Sequence, residues 1–278
     1  MRTQELLSDI TITDLFTTIF VLVDDYLQEA QRQHRFHLPT KGNQKGTYSE
    51  IMTIVLVGEI LQQRNQGLWY LIAKQSYADL FPSLPDRTRF YRIQRNLERI
   101  YADFALLLAL HDDTYVIDST PIPICRGARR YRDRNMTEAT TGRGGVDKYV
   151  HGFKLHAVVT GSGSLCRFAI VPANEHDVTV GRCLLAERYD DLSRIVGDKG
   201  YQGLGIFTPP KRNSKEVGFW CSFFSKLRKG IESVFSCLKR CRNLALQQLN
   251  SFWSIRASVC RKVAAHNLLI FLSASTDV

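Results

Sequence analysis

Two short apolar runs, Tyr115-Val116-Ile117 and Ile195-Val196-Gly197, each stop at an aspartate and lead into a turn: Asp118-Ser119-Thr120-Pro121 after the first, Asp198-Lys199-Gly200-Tyr201-Gln202-Gly203 after the second. A brief run of this kind bounded by turn residues reads as a buried strand. Each strand thus delivers a carboxylate at its carboxyl end, the side of an open α/β sheet on which ligands bind. Laid side by side and parallel, the two strands would bring together acids that stand 80 positions apart.

The surrounding pattern agrees with a mixed sheet. Strands are expected over 114–118, 152–160, 166–172 and 193–198. Gly161-Ser162-Gly163-Ser164 turns the second into the third, and a helix over 178–189 links the last two. Asp177 precedes that helix and is expected to cap it; an approach of His176 and Asp177 to the acids is the alternative. Before Thr114 the pattern is helical. Thr47-Tyr48-Ser49-Glu50 is a capping box opening onto the apolar stretch 51–61. Further helices are expected over 68–80 and from Pro85 toward Leu110. The chain therefore divides into residues 1–110, an all-helical domain suited to DNA binding or dimerisation, and residues 111–278, an α/β domain. Two long insertions, 120–148 and 204–218, interrupt the second part; loops of that length are usually functional or disordered.

A third acid, Glu232, lies inside an expected helix over 219–242 among basic residues. At about 100° per residue, Arg228, Glu232 and Lys239 share a stripe roughly 40° wide, beside the apolar Leu227, Ile231, Val234 and Leu238. Two strand-end aspartates and a helical glutamate form an all-oxygen donor set. That set suits Mg²⁺, with Mn²⁺ as a substitute. A pair of such ions is a recurrent device for cutting and joining phosphodiesters. The location of the net charge of +10 points the same way. Residues 1–110 and 111–198 each carry 12 Lys/Arg against 12 Asp/Glu, while the last 80 carry 13 against 3. A basic region beside a carboxylate cluster selects a polyanion. The bland alternative is a solubilising tail with an Arg228–Glu232 surface pair, worth only a few tenths of a kcal/mol.

Other classes are disfavoured. The longest apolar stretch, 16–23, is too short for a membrane span and is stopped by Asp24-Asp25. Glu5 and Asp9 stand where a secretory signal would be basic. Seven cysteines without a CxxC pair read as reduced thiols in a cytoplasmic protein, with no structural zinc site. No organic cofactor is expected.

Taken together, the three acid motifs resemble those of DDE transposases of bacterial insertion sequences. Val116-Ile117-Asp118-Ser119-Thr120-Pro121 is similar to that family's hydrophobic strand ending in Asp-Ser-Thr, and Asp198-Lys199-Gly200-Tyr201-Gln202-Gly203 resembles its second-acid motif. Arg228-x3-Glu232-x6-Lys239 matches the last three members of its Tyr-Arg-Glu-Lys signature, with Ser225 where the tyrosine would stand. The resemblance covers roughly residues 112–272. It implies an RNase H-like mixed sheet flanked by helices and an endonuclease that also transfers strands. Asp118 would bridge two Mg²⁺ ions, Asp198 would hold one and Glu232 the other. It further implies double-stranded DNA as partner (terminal inverted repeats and target) and a homodimer that pairs two ends. The location implied is cytoplasmic, and nucleoid-associated when DNA is bound. Two rival readings are an RNase H-like endonuclease without strand transfer and a catalytically inactive DNA-binding derivative.

Candidate DNA contacts follow from charge. Arg228, Lys239 and Lys199 flank the acids, and Lys154 lies on a strand beside the first of them. Arg129 and Arg130 belong to a short run with Arg126, Arg132 and Arg134; Arg92 and Arg95 belong to a basic helix near the end of the helical part. For both arginine groups the alternative is solvation without a partner. His151 and His156, five apart on a strand, point to opposite faces and form no metal pair.

Overall fold

The computed structural model describes residues 10–38, 44–125, 136–143, 149–186, 194–210, 222–245 and 249–276, with the backbone alone for 222–225 and 276. Every described element before Tyr115 is a helix. The first, α1 (Ile12–Arg32), starts where the Thr11 hydroxyl accepts from the Asp14 N–H at 3.1 Å, and it buries Leu15, Ile19, Val23 and Tyr26 along one face. In α2 (Tyr48–Ile60) the expected capping box between Thr47 and Glu50 is present. This helix is apolar around its circumference and buried along almost its whole length, which makes it the central helix of its unit. Helix α3 (Gln66–Ser76) sets Trp69 against Gly58, whose missing side chain is the reason they can approach: a Cβ there would lie 2.4 Å from the indole nitrogen. The single helix expected after Pro85 is two, α4 (Arg87–Asn96) and α5 (Glu98–Leu107), broken at Leu97. Leu97 is buried, so the break turns an apolar residue into the core.

The chain separates into two compact units, residues 1–108 with 256–278, and residues 109–255. The last helix, α8 in the numbering used here (Phe252–Thr276), thus belongs from Arg256 onward with the helices that open the chain. Within that unit Arg256 pairs with Glu98 at 2.7 Å, and the Asn267 amide donates to the Ala105 carbonyl at 2.7 Å. Arg261 and Lys262 meet Glu59 at 2.6 and 3.3 Å.

The second unit is built on a five-stranded mixed sheet. Its strands are β1 (Tyr115–Pro123), β2 (Thr140–Arg143), β3 (Tyr149–Thr160), β4 (Leu165–Pro172) and β5 (Ile195–Gly197). The long β3 pairs antiparallel with β1, β2 and β4, while β1 pairs on its other side with β5 in parallel. That parallel pair is the juxtaposition expected of the two acid-terminated runs. Strand β1 does not stop at its acid, however. It continues to Pro123 along β3, with Pro121 opposite Lys154 and Pro123 opposite Gly152. The Ile124 N–H reaches β3, at the His151 carbonyl. The two prolines have the other parity, so their missing N–H groups face the side that β5 has already left, where no ladder bond is lost.

Helix α6 (Asp177–Leu185) covers one face of the sheet, where Val180 and Leu184 join Ile117, Val158, Ile195 and Tyr201 in a core. The long helix α7 (Ser222–Arg240) contacts β1 and β5, burying Ile231, Val234, Phe235 and Leu238. Among the described residues no helix is long and apolar enough to cross a membrane.

Candidate active site

The parallel register of β1 and β5 is Tyr115 with Ile195, Val116 with Val196 and Ile117 with Gly197. The next step on each strand is Asp118 and Asp198. At Asp198 the backbone leaves the sheet for a 3₁₀ turn, Lys199–Tyr201, while Asp118 stays in β1 opposite Ala157. The two acids are therefore set beside each other by the sheet itself.

Their electrostatics differ from those of a surface pair. Burial pushes the Asp118 carboxyl up to about 6, and the negative charge of Asp198 adds to the rise. The Ser119 N–H, donating to Asp118 Oδ1 at 2.8 Å, and the nearby Arg228 pull the other way. Arg228 reaches across from α7 to Asp198, with its Nη2 at 3.5 Å from Oδ1. Lys239, further along α7, also sits near Asp118; its half-buried ammonium has a lowered pKa because burial disfavours the charge, a fall that Asp118 partly offsets. One helix thus supplies two cations to two acids of adjacent strands.

The third acid of the sequence reading is placed differently. Glu232 is exposed on α7. Taking about 100° per residue, it lies on the far side of Arg228 and Lys239 from the buried Ile231, Phe235 and Leu238, so it is the member of its stripe turned most toward solvent. Among the described residues no group of three or more His, Cys, Asp or Glu side chains is placed to hold a metal ion. Asp118 and Asp198 together offer hard oxygen donors of the type that Mg²⁺ takes. The raised pKa of Asp118 fits a pair that a nearby cation would relieve.

The other candidates fall into three groups. Lys199 is exposed in the turn after Asp198. Lys154 is largely covered, with its ammonium donating to the Glu175 carbonyl and to Asp177 Oδ1, both at 3.1 Å. Arg92 and Arg95 are exposed on α4 in the helical unit, where Arg92 and Arg89 line an open pocket of about 460 Å³ with Gln44, Tyr48 and Asn96. Arg129 and Arg130 lie outside the described residues, as does the side chain of Ser225.

Sequence reasoning preferred a capping role for Asp177 over an approach to the acids, and it missed Tyr201. Asp177 does not cap α6: it is the first residue of that helix, with His176 in the cap position and no side-chain cap bond. Its carboxylate is turned to Lys154 and His156 because these alternate residues of β3 share a face, and its charge also acts on Asp118. The fully buried Tyr201 of the second-acid motif places its hydroxyl 2.8 Å from His156 Nδ1. The Asp-Lys-Gly-Tyr run was the one signal in the sequence that could have drawn attention to Tyr201.

Residues 110–219 match the family model of the transposase DDE domain. Over that span the chain resembles DDE transposases, a family that in general uses divalent metal ions, and the match supports a transposase-family function. No curated protein matches the chain, and no solved structure does.

Proposed function

We propose that the sheet unit is the catalytic part of a DNA transposase, an RNase H-like domain that cuts and joins phosphodiesters at the ends of an insertion sequence. The observation that carries this reading is the β1–β5 register, which sets Asp118 and Asp198 one step beyond the last parallel pair. The transposase DDE match covers both acids. In this reading Asp118, Asp198 and Glu232 hold Mg²⁺, two ions per site, with Mn²⁺ able to substitute. When bound, the ions supply charge stabilisation for the attacking and leaving oxygens of an in-line displacement.

The chain's own groups prepare that chemistry. Burial of Asp118 keeps solvent from competing with a ligand cation, and Arg228 fixes the orientation of the Asp198 carboxylate. Glu232 lies on α7 between Arg228 and Lys239, both of which interact with the aspartates, so the helix already approaches the pair on either side of it. Arg228, Lys239 and Lys199 offer positive charge to phosphates at the sheet edge. Lys154, Arg129 and Arg130, and in residues 1–110 Arg92 and Arg95, extend the DNA contact. Terminal inverted repeats and target DNA are the substrates, and a homodimer pairs the two ends. This division of labour assigns catalysis to the sheet unit, and DNA binding or dimerisation to the helical unit, in the bacterial cytoplasm.

The test is incubation of the purified chain with cognate ends and supercoiled plasmid in Mg²⁺, Mn²⁺ or EDTA, beside Asp198→Ala. We expect metal-dependent cuts that leave 3′-hydroxyls, joining of those ends to plasmid, and neither product in the variant. DNA binding without cutting in either metal, with cognate ends supplied, would remove the enzyme reading. Cutting without joining would leave an endonuclease.

A further inference from the structure

The residue that follows each aspartate, or follows it within the same turn, is tied to a second layer of polar groups on the α6 face of the sheet. Ser119, next to Asp118, is the Cα partner of His156 on β3. Its hydroxyl bonds to the Tyr201 hydroxyl, which closes the 3₁₀ turn after Asp198. The Tyr201 hydroxyl lies 2.8 Å from His156 Nδ1. Both rings have no exposed surface. The proton count closes in one direction. Ser119 donates to Tyr201, and Tyr201 donates to His156 Nδ1, which burial keeps neutral by pulling its pKa down to about 4. The remaining imidazole hydrogen is then on Nε2, a buried atom that has no hydrogen-bond partner among the described residues and faces Asp177 Oδ1 at 3.8 Å. Asp177 in turn accepts from Lys154 at 3.1 Å.

Asp177 also touches the turn directly. A Cβ on Gly200 would stand 2.6 Å from Asp177 Oδ2, so the turn backbone passes against the carboxylate with no room for a side chain. The turn that carries Asp198 is therefore held at Gly200 and at Tyr201, and the Tyr201 bond runs to the residue beside Asp118.

Resting on the assignment of Asp118 and Asp198 as the acid pair, we infer that Tyr201, His156 and Asp177, with Lys154 as the counter-ion of Asp177, are positioning residues that fix the separation of the two carboxylates. Tyr201, His156 and Asp177 touch neither substrate nor reacting atoms. Lys154 acts in this layer by holding Asp177. Outer groups of this kind orient the carboxylates that bind a metal, and their loss typically costs about 10- to 100-fold in metal affinity or activity.

The experiment uses the full chain with Tyr201→Phe, Asp177→Asn, Asp177→Glu and Asp198→Ala. Mn²⁺ binding is read by the loss of free-ion EPR signal, plasmid cutting is titrated against Mn²⁺, and DNA affinity is measured in EDTA. We expect Tyr201→Phe and Asp177→Asn to weaken Mn²⁺ binding about 10-fold and to lower kcat by about 10- to 100-fold, with DNA affinity within twofold of the parent. Asp177→Glu, which keeps the charge, should recover part of the loss. Mn²⁺ binding and kcat both within twofold of the parent in Asp177→Asn would overturn the inference. That variant is the deciding one because Asp177 is partly exposed and its amide is isosteric, so it folds even if Tyr201→Phe does not. Full cutting by Asp198→Ala would instead overturn the acid pair itself, and the positioning inference with it.

Discussion

Each of the two units holds a cluster of charges, and the clusters are built on opposite principles. In the helical unit Glu59, with a side chain 10% exposed, faces both Arg261 and Lys262, themselves 9% and 6% exposed. One acid meets two cations, and its charge is overcompensated. In the sheet unit Asp118 has Asp198 as its neighbour across the parallel pair, and burial, with that neighbour's charge, pushes its carboxyl up to about 6 even with Arg228 and Lys239 nearby. The first cluster is complete as it stands and joins α8 to α2. The second sets two acids side by side and, chiefly through burial, leaves one of them strained toward its neutral form. Strongly perturbed acids that the fold does not satisfy are characteristic of sites, and satisfied ones of scaffold.

The largest expected effect lies on the catalytic side of that contrast. Asp118→Asn should lower the rate of plasmid cutting in Mg²⁺ by about 10²- to 10³-fold, since removing one preorganised charge-stabilising group commonly costs on that order. Single-turnover rates at saturating DNA are the readout. A loss below tenfold would place Asp118 outside the chemistry and make the two clusters alike in kind.

Stability should separate the same residues with opposite signs. Glu59→Ala leaves Arg261 and Lys262 buried without their acid, and removal of one partner from a buried pair costs about 3–5 kcal/mol. Asp118→Asn removes an unfavourable charge and should stabilise the metal-free fold at pH 7, on the order of 1–2 kcal/mol after allowing for the carboxylate's partial exposure. Urea unfolding in EDTA measures both. Destabilisation by both substitutions would mean that the Asp118 charge is compensated in the folded state, and the contrast would fall.

The pH dependence sharpens the contrast within the sheet unit. Asp118 holds its proton up to about pH 6 when folded but only to about 4 when unfolded, so its contribution to stability grows as pH falls through that window. His156 has the opposite sign: its folded pKa of about 4 lies below the ordinary 6.5, so stability is lost as pH falls from 6.5 toward 4. The two nearly cancel in the parent. In metal-free buffer the stability of Asp118→Asn should therefore drop by on the order of 2 kcal/mol between pH 6.5 and 4.5, and that of His156→Gln should rise over the same range. Parallel curves for the parent and both variants would show that neither group titrates differently on folding.

Much of this arrangement was legible in the chain because it rests on local pattern. Two β-branched runs that end in Asp specify short buried strands, and their parallel pairing brings the acids together. The capping box at Thr47 is equally local. What was not legible is set by tertiary neighbours or by angles finer than a helical stripe resolves. Pro121 read as part of a turn that ends the strand, and only the withdrawal of β5 shows why the strand runs on through it and Pro123. The stripe of Arg228, Lys239 and Glu232 is real, but about 40° is enough to carry its outer edge from contact with the acids to solvent. Asp177 read as a helix cap because acids are common at helix starts. Its true neighbours, Lys154 and Gly200, come from a strand and a turn that no local pattern connects to it.

The smallest expected effect tests whether the helical unit does more than provide scaffold. Arg92 and Arg89 are exposed at the same open pocket on α4, in a unit that turns the charges of Glu59, Arg261 and Lys262 inward. A phosphate contact by Arg92 carries no sequence preference and is read best as counterion release. Arg92→Ala should weaken binding of any duplex by a few-fold at moderate salt and reduce the slope of log K against log salt by about 0.9, the value for one lost contact on B-form DNA. The measurement is a fluorescence titration of a short duplex at four salt concentrations, with EDTA present so that cutting does not intervene. An unchanged slope would take α4 out of the DNA interface and leave DNA binding to the sheet unit.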